Sequence, residues 1–362
     1  MRLMLSSLAL AALTAGIALA QVPAGYPADY KAIVDGAKKE GKVVVYSTTD
    51  AKLVTPLIKD FEAAFPGVKV EYTDLNSTEV YNRFISENAA NAASADAVWS
   101  SSMDLQMKLA ADGLAAVYKS PEVAALPEWA HYKDSVYATT FEPIAIVYNK
   151  RLVPPEDVPK THADFTKLLN TKADKFQKKV TTYDAEKSGV GFMLVNQDAK
   201  LNPGFWDLVK AMGARGVNLQ SSTGTMMERV SSGENLIGYN ILGSYALTRA
   251  KKDPSIGVVF TSDYNLVLSR LVFVAKKAKN PNAGRLWVDY LLSKRGQTIT
   301  SEQAELYSVR TDMTGKDSGV AFAKELGPAV KPIAVNTDLL QGLDQAKRLE
   351  FLKQWQAALG RK

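Results

Sequence analysis

The chain has no cysteine among its 362 residues. This absence excludes disulfides, thiolate metal sites and thiol nucleophiles within the chain, and it excludes a lipid anchor attached to cysteine. Histidine is rare as well, because only His131 and His162 are present, in polar stretches where we expect them to be exposed. Their spacing does not match a helical zinc motif, and the chain has no Walker loop or Gly-x-Ser-x-Gly motif. We therefore expect no enzyme, no cofactor and no resident metal.

Long apolar runs are confined to the N-terminus. The first twenty residues combine Arg2, an apolar run from Leu3 to Leu19 and the small-x-small ending Ala18-Leu19-Ala20, which predict a secretory signal peptide. A membrane anchor is the alternative, but polar residues such as Ser6 interrupt the run, and no later stretch has the roughly 18 to 20 apolar residues of a spanning helix. We expect residues 1–20 to be removed and the protein to be released, without a lipid anchor, into a periplasm.

Long basic blocks are absent too, although the formal net charge is +6. Lysine pairs such as Lys38-Lys39 and Lys251-Lys252 are spread along the chain, which is typical of solvated helix faces and not of nucleic-acid binding. With 46% hydrophobic and 23% charged residues the composition is that of a globular protein. The length exceeds the size at which a single hydrophobic core stops growing, so it predicts two domains.

Short strand-forming runs alternate with helical patterns along the chain. Five of these runs are Lys42–Tyr46, Val68–Asp74, Ala95–Trp99, Val180–Tyr183 and Asn235–Tyr239. This alternation predicts an α/β fold with parallel sheets. Asn76 and Glu79 resemble a helix-capping pair. In the helix before the second run, Pro56 indicates either a late start, with Thr55 as the cap, or a kink.

Two weakly charged, extended runs, Tyr137–Tyr148 and Tyr264–Ala275, are candidate crossings between the domains. They divide the mature chain into a first lobe, residues 21–140 and 270–312, and a second lobe, residues 141–269 and 313–362. No long Pro/Gly linker is present, so we expect strands to join the lobes. Strand hinges allow the lobes to close around a ligand.

Hydroxyl and small residues recur where predicted strands end and helices begin. The four clusters are Ser47–Thr49, Asn76–Thr78, Ser100–Ser102 and Ser188–Gly189. Open α/β sheets bind ligands at that edge, where helix N-termini offer unpaired N–H groups to an oxyanion. The alternative is that each hydroxyl only caps its helix. Four clusters facing one cleft favour a binding site for a small anion.

Several segments carry a family resemblance over essentially the whole mature chain. They are Val44–Ser47, Phe61–Val70, Ala95–Trp99, Ile146–Lys150 and, most specifically, Asn280–Gln297. The chain resembles the family 1 extracellular solute-binding proteins of the type II periplasmic fold, in the branch of ferric-ion and organic-anion receptors. The resemblance implies a two-lobed α/β fold with strand hinges and a monomeric receptor that delivers its ligand to an inner-membrane ABC permease.

The ferric members of that branch use an acid or histidine, a glutamate and a tyrosine pair. Asp50 and Glu87 match the first two positions, but Ile241-Leu242 occupy the place of the tyrosines. Hard ferric iron needs anionic oxygen ligands. We therefore predict a small organic anion of the sugar-phosphate, phosphonate or carboxylate type. A ferric-iron or iron-chelate receptor, a partner of a membrane sensor kinase and an exported enzyme stay open as alternatives.

Candidate ligand contacts follow from these positions. Arg270, on the second crossing, is the candidate clamp for a carboxylate or phosphate. Its alternative role is an interlobe salt bridge with Glu142, whose carboxylate on the first crossing suits a donor-bearing end of the ligand. The other candidates are polar residues or aromatic side chains of the strand ends: Thr48, Thr49, Ser100, Ser101, Tyr183, Asp184, Ser188, Gly189, Tyr239 and Asn240.

Overall fold

A computed structural model describes residues 22–304 and 306–361. The predicted signal peptide lies outside the described residues. Within them, no helix is both long and apolar enough to cross a membrane. Strands are numbered in chain order: β1 (Lys42–Ser47), β2 (Lys69–Asp74), β3 (Ala97–Ser100), β4 (His131–Tyr132), β5 (Val136–Ala138), β6 (Glu142–Asn149), β7 (Val180–Tyr183), β8 (Asn218–Gln220), β9 (Ile237–Leu242), β10 (Ile256–Val259), β11 (Asn265–Leu268), β12 (Leu271–Val274) and β13 (Val330–Pro332).

Helices occupy most of the intervening chain. They are α1 (Lys31–Glu40), α2 (Ala51–Ala64), α3 (Ser77–Ala89), α4 (Met103–Ala111), α5 (His162–Thr171), α6 (Ala173–Phe176), α7 (Gly189–Leu201), α8 (Phe205–Ala214), α9 (Thr223–Ser232), α10 (Gly243–Lys252), α11 (Pro281–Leu292), α12 (Lys294–Glu302), α13 (Gly319–Leu326) and α14 (Gln345–Ala358). Short 3₁₀ segments lie at Ala28–Tyr30, Val123–Ala125, Glu128–Ala130, Pro155–Asp157, Gly327–Ala329 and Thr337–Leu343.

The strands form two mixed sheets, each the centre of one lobe. The first sheet has the order β2-β1-β3-β12-β5-β4, and the second has the order β13-β11-β6-β9-β7-β8, with β10 also paired to β6. In the first sheet β1 runs parallel to β2 and β3, and in the second β7 runs parallel to β8 and β9. All four residues of β3 and of β12 are buried, as expected for strands covered by helices on both faces. The α/β prediction is confirmed. The prediction of parallel sheets is wrong in part, because β12 pairs antiparallel with β3 and β6 pairs antiparallel with β9 where the chain returns from the other lobe.

Two of the crossings between the sheets are very short segments. Thr139–Phe141 joins β5 to β6, and Ser269-Arg270 joins β11 to β12. Both segments lie within the two runs that the sequence marked as candidate crossings. The lobes are thus connected directly from strand to strand, while the exact lobe boundaries stay a prediction.

Most local predictions agree with the structure. Strands β1, β2, β3, β7 and β9 confirm the five predicted runs, with ends that differ by up to three residues. Asn76 and Glu79 form the predicted capping box at the start of α3. The late start of the second helix is wrong, because α2 begins at Ala51 and contains Pro56 in its interior.

The exposure predicted for His162 is also wrong. Its ring is buried and stacks on Tyr264 with centroids 4.0 Å apart. Nδ1 lies 3.0 Å from the Asp263 carboxylate. The stacked ring and the carboxylate partner offset the cost of removing this polar side chain from water. His131 is only partly exposed, at the start of β4.

Candidate functional site

A cavity of about 220 Å³ lies between the two lobes. The loops that follow β1, β2 and β3 form its first wall, and the segments that follow β7, β8 and β9 form its second. Carboxyl ends of parallel strands meet at one edge of a sheet, so both sheets direct their loops toward this cavity. A wider depression of about 540 Å³ near residues 155–172 is lined by the second lobe alone.

Polar and aromatic side chains dominate both walls. The first wall includes Thr48, Asp50, Asp74, Asn76, Ser77 and Ser101. The second wall includes Tyr183, Val190, Ser222, Thr223, Leu242 and Tyr245. Among the described residues that line the cavity, none is a lysine or an arginine. Three of the four predicted hydroxyl clusters therefore reach the cavity through Thr48, Ser77 and Ser101.

Hydroxyl clusters also cap the helices that begin beside the cavity. Ser222 Oγ accepts from the Thr225 N–H at 3.2 Å at the start of α9, and Ser188 Oγ accepts from the Gly191 N–H at 3.2 Å at the start of α7. The capping and binding interpretations are thus compatible, because a capped helix still leaves N–H groups of its first turn unpaired.

Arg270 and Glu142 form a buried ion pair at the crossings. Arg270 Nε donates to Glu142 Oε1 at 2.8 Å and Nη2 donates to Oε2 at 3.2 Å. Both residues are 0% exposed. Burial acts to lower the pKa of Arg270, but the adjacent Glu142 carboxylate outweighs it and raises that pKa above its ordinary value. The structure thus realises the interlobe salt bridge, the alternative role of Arg270.

Four further residues complete this group, which we call the hinge cluster: Thr48, Thr49, Thr140, Glu142, Ser244 and Arg270. Arg270 Nη1 donates to the Thr48 carbonyl oxygen at 3.0 Å and to Thr49 Oγ1 at 3.1 Å. Thr140 Oγ1 and Ser244 Oγ donate to the Glu142 carboxylate at 2.8 Å and 2.7 Å. The charges of Glu142 and Arg270 neutralise each other within the protein. Neither residue lines the cavity, and both support it from behind its walls.

The two lobes also contact each other directly beside the cavity. Val190 N–H donates to Ser77 Oγ at 3.1 Å, and Gly189 N–H donates to Thr78 Oγ1 at 3.2 Å. A Cβ at Gly189 would lie 2.7 Å from Leu105 Cδ1, so only glycine fits this approach without displacing the neighbouring side chain. The start of α3 in the first lobe and the start of α7 in the second therefore touch in this arrangement.

Two carboxylates lie in the first wall. Asp50 precedes α2 but makes no capping bond with its side chain, whereas the Ala51 N–H donates to Asp74 Oδ2 at 3.0 Å. Partial burial raises the pKa of Asp74, and the negative charge of Asp50 adds to that effect. The first-lobe end of the cavity is therefore electronegative.

The structure does not bring Tyr239 and Asn240 to the cavity. Tyr239 Oη and Asn240 Nδ2 donate to Asp198 Oδ2 at 2.9 Å and 2.7 Å, and Tyr264 Oη donates to Oδ1 at 2.8 Å. The fully buried Asp198 carboxylate needs these donors, which holds both predicted residues inside the second lobe.

Other predicted contacts lie beside the cavity or behind its walls. Thr49 is buried against Arg270, and Ser100 Oγ accepts from the Ser102 N–H at 3.2 Å. Asp184 accepts from the Glu186 N–H at 3.0 Å. Their roles as ligand contacts stay predictions.

Sequence reasoning missed Asp74, Tyr245 and the segment 221–224, all of which line the cavity. Ser221-Ser222-Thr223 is another hydroxyl cluster at a strand end, and it would have been found if β8 had been predicted. Tyr245 Oη accepts from the Asp50 N–H at 3.4 Å, a contact between lobes that no local pattern indicates.

Of the positions compared with ferric receptors, Asp50 and Leu242 line the cavity. Glu87 does not, because it accepts hydrogen bonds from Tyr46 Oη at 2.9 Å and from Arg83 Nε at 2.8 Å. Within residues 22–304 and 306–361 no three His, Asp or Glu side chains are grouped as a metal site would require.

Comparisons with known proteins agree with this architecture. Residues 56–325 match the family model described as bacterial extracellular solute-binding protein. A substrate binding protein of an ABC transporter from Agrobacterium tumefaciens is 38% identical, with a TM-score of 0.84 over 88% of this chain and 94% of that one.

More distant structures share the fold at lower identity. The periplasmic binding protein AfuA from Actinobacillus pleuropneumoniae, with exogenous fructose-6-phosphate bound, is 19% identical, with a TM-score of 0.72 over 89% of this chain and 99% of that one. Iron-bound HitA from Pseudomonas aeruginosa is 20% identical, with a TM-score of 0.68 over 88% and 99%.

Proposed function

Since the chain belongs to the family of bacterial extracellular solute-binding proteins, we propose that this periplasmic substrate-binding protein of an ABC transporter captures a small organic anion. The observation that carries the proposal is the cavity between the lobes, which loops from both sheets enclose. A ligand in that position contacts both walls and stabilises the closed arrangement. Ligand-dependent closure is what distinguishes a loaded receptor from an empty one for the permease.

The start of α9 supports an anionic ligand. Ser222 caps this helix of ten residues, and Thr223 and Gly224 of its first turn line the cavity. Helix N-termini combine unpaired N–H groups with the positive end of the helix dipole, and both favour an oxyanion. Thr48 and Ser101 supply hydroxyl groups from the opposite wall.

The distant relatives differ in what they bind, so the choice among ligands depends on this chain's own residues. Fructose-6-phosphate, bound to AfuA, combines an anion with hydroxyl groups, which suits a wall of hydroxyls and a helix N-terminus. Iron, bound to HitA, requires anionic oxygen ligands. The aliphatic Ile241 and Leu242 supply none, so we favour an organic anion of the sugar-phosphate, phosphonate or carboxylate type.

Native mass spectrometry of freshly purified protein tests this proposal. We expect a bound organic anion that is absent from a Ser221→Trp variant, whose indole would fill the cavity. Ser86→Trp, on the exposed face of α3, is the matched control and should keep the adduct. X-ray scattering should show a smaller radius of gyration for the loaded protein. An iron adduct, or an adduct that persists in Ser221→Trp, would contradict the proposal.

A further inference from the structure

The two wall carboxylates, Asp50 and Asp74, receive fewer hydrogen bonds from the protein than Glu142 at the crossings does. Glu142 accepts from an arginine and two hydroxyls. Asp74 accepts from one backbone N–H, that of Ala51. For Asp50, no described residue donates to the carboxylate, although aspartate at this position usually caps the helix that follows.

Nothing in the cavity lining compensates for these charges. The described lining residues include no lysine or arginine, and the nearby Arg270 is already engaged by Glu142 and the loop after β1. In open solvent, water satisfies both carboxylates. When a ligand fills the cavity and displaces that water, each carboxylate loses its donors unless the ligand supplies them, and an unsatisfied charge is costly.

We infer that Asp50 and Asp74 are specificity residues, which admit an anionic ligand only when it also carries hydrogen-bond donors, hydroxyl or ammonium, for the first wall. This inference rests on the proposed function. An anion without donors would meet electrostatic repulsion from two carboxylates at the first-lobe end. A ligand with both groups would present its anion to the start of α9 in the second lobe and its donors to Asp50 and Asp74.

A panel of matched probes tests the inference by calorimetry on the full-length mature protein. Ethyl phosphate carries the anion alone, glycerol 3-phosphate adds hydroxyls and 2-aminoethyl phosphate adds an ammonium group. Glycerol and ethanolamine carry donors alone. We expect at least one donor-bearing phosphate to bind at least tenfold more tightly than ethyl phosphate, since hydrogen bonds to charged groups are the stronger class. Comparing the hydroxyl and ammonium arms identifies the kind of donor.

Asp50→Asn and Asp74→Asn should change the two probe classes in opposite directions. Affinity for the preferred donor-bearing phosphate should fall about tenfold, whereas affinity for ethyl phosphate should stay equal or rise because repulsion is removed. Asp207→Asn, an exposed carboxylate on α8 paired with Lys210, is the matched control and should change neither. This opposite response separates specificity from a general loss of folding, which would weaken all probes together.

The outcomes also separate this inference from the proposed function. If all three phosphates bind equally and the asparagine variants leave their ratio unchanged, the inference is overturned and the anion receptor stands. If the donor-only probes bind and depend on Asp50 and Asp74 while no phosphate binds, the anionic ligand is wrong, and the inference, which concerns selection among anions, is overturned with it. If no probe binds, both proposals are overturned for phosphates of this size.

Discussion

The hinge cluster and the cavity wall both contain carboxylates, but these differ in burial and in the number of hydrogen bonds that the protein donates to them. In the hinge cluster Glu142 is fully buried and accepts from a guanidinium and two hydroxyl groups. In the wall, Asp50 and Asp74 are exposed and retain most of their hydrogen-bonding capacity. The first arrangement holds the lobes in register, and the second leaves charge available to a ligand.

This difference indicates which charged residues have a structural role and which are available to bind a ligand. A buried ion pair contributes little net stability, but removal of one partner leaves an uncompensated charge and costs a great deal. A partly solvated carboxylate lowers the stability of the empty protein little. It strongly affects ligand affinity once a ligand displaces its water. The comparison assigns Arg270 to support of the cavity and Asp50 and Asp74 to selection of its contents.

The largest expected effect comes from breaking the hinge pair. Arg270→Met and Glu142→Gln should each reduce the unfolding free energy by about 3–5 kcal/mol, because the remaining partner stays buried and poorly satisfied. Urea denaturation measures the loss, and the double variant Glu142→Leu/Arg270→Met should recover part of it. If Arg270→Met unfolds like the wild type but loses more than tenfold in ligand affinity, Arg270 is a ligand contact after all.

Asp289, another buried carboxyl, sharpens the comparison, because it is surrounded by hydroxyls and not by arginine. Tyr30 Oη and Ser120 Oγ donate to it at 2.7 Å and 2.6 Å. Burial raises its pKa to about 7. The folded protein thus holds a proton that the unfolded chain releases, so stability is greatest below the ordinary pKa and falls as the pH rises to 7. The loss should be about 4 kcal/mol, because a difference of one pKa unit corresponds to about 1.4 kcal/mol.

Asp289→Asn should remove most of this pH dependence. The measurement is the unfolding free energy of wild type and variant between pH 4 and 8, compared as a difference so that other acids cancel. If the unfolding free energies of wild type and variant change with pH in parallel, the hydroxyl donors stabilise the ionised Asp289 carboxylate as well as an arginine would.

A smaller effect tests whether Ser244 belongs to the hinge cluster. Ser244→Ala removes the hydroxyl that donates to Glu142 Oε2 at 2.7 Å. We expect a loss of about 1.5–3 kcal/mol in unfolding free energy, since the acceptor is charged and buried. Ser86→Ala on exposed α3 should change stability little. Equal stability of the two variants would mean that the arginine alone satisfies Glu142.

The smallest expected effect concerns the contact between the lobes beside the cavity. Gly189→Val would place side-chain atoms against Leu105 and Ser102 and hinder the approach of α7 to the first lobe. We expect ligand affinity to fall roughly tenfold while the open protein keeps its stability. Gly204→Ala, whose Cβ would meet no atom closer than 3.4 Å, serves as the control. Unchanged affinity would show that closure does not need this contact.

Local features of the site were predictable because they depend on neighbouring residues. The capping pair Asn76 and Glu79 and the hydroxyl cluster at Ser100–Ser102 follow directly from residues within one turn. The places where strands end decided which loops reach the cavity. Those ends follow from runs of β-branched and aromatic residues, which are visible without tertiary information.

Side-chain direction along β9 was not predictable. Asn240 has a left-handed backbone with φ of 59°, and the pairing of β6 with β9 shifts register between Ala145 and Val147. Such irregularities break the alternation of faces along a strand. Tyr239 and Asn240 consequently contact Asp198, whereas Leu242, two residues later, lines the cavity.

The sequence by itself determined the α/β class, the two crossings and the hydroxyl-rich strand ends, because periodicity and composition act over short distances. Only the tertiary structure decided which charges neutralise each other. Glu142 and Arg270 are 128 residues apart in the chain, and Asp50 meets Tyr245 across 195 residues. Pairing over such separations depends on how two sheets are placed, so no local pattern could assign Arg270 to the hinge and leave Asp50 free in the cavity wall.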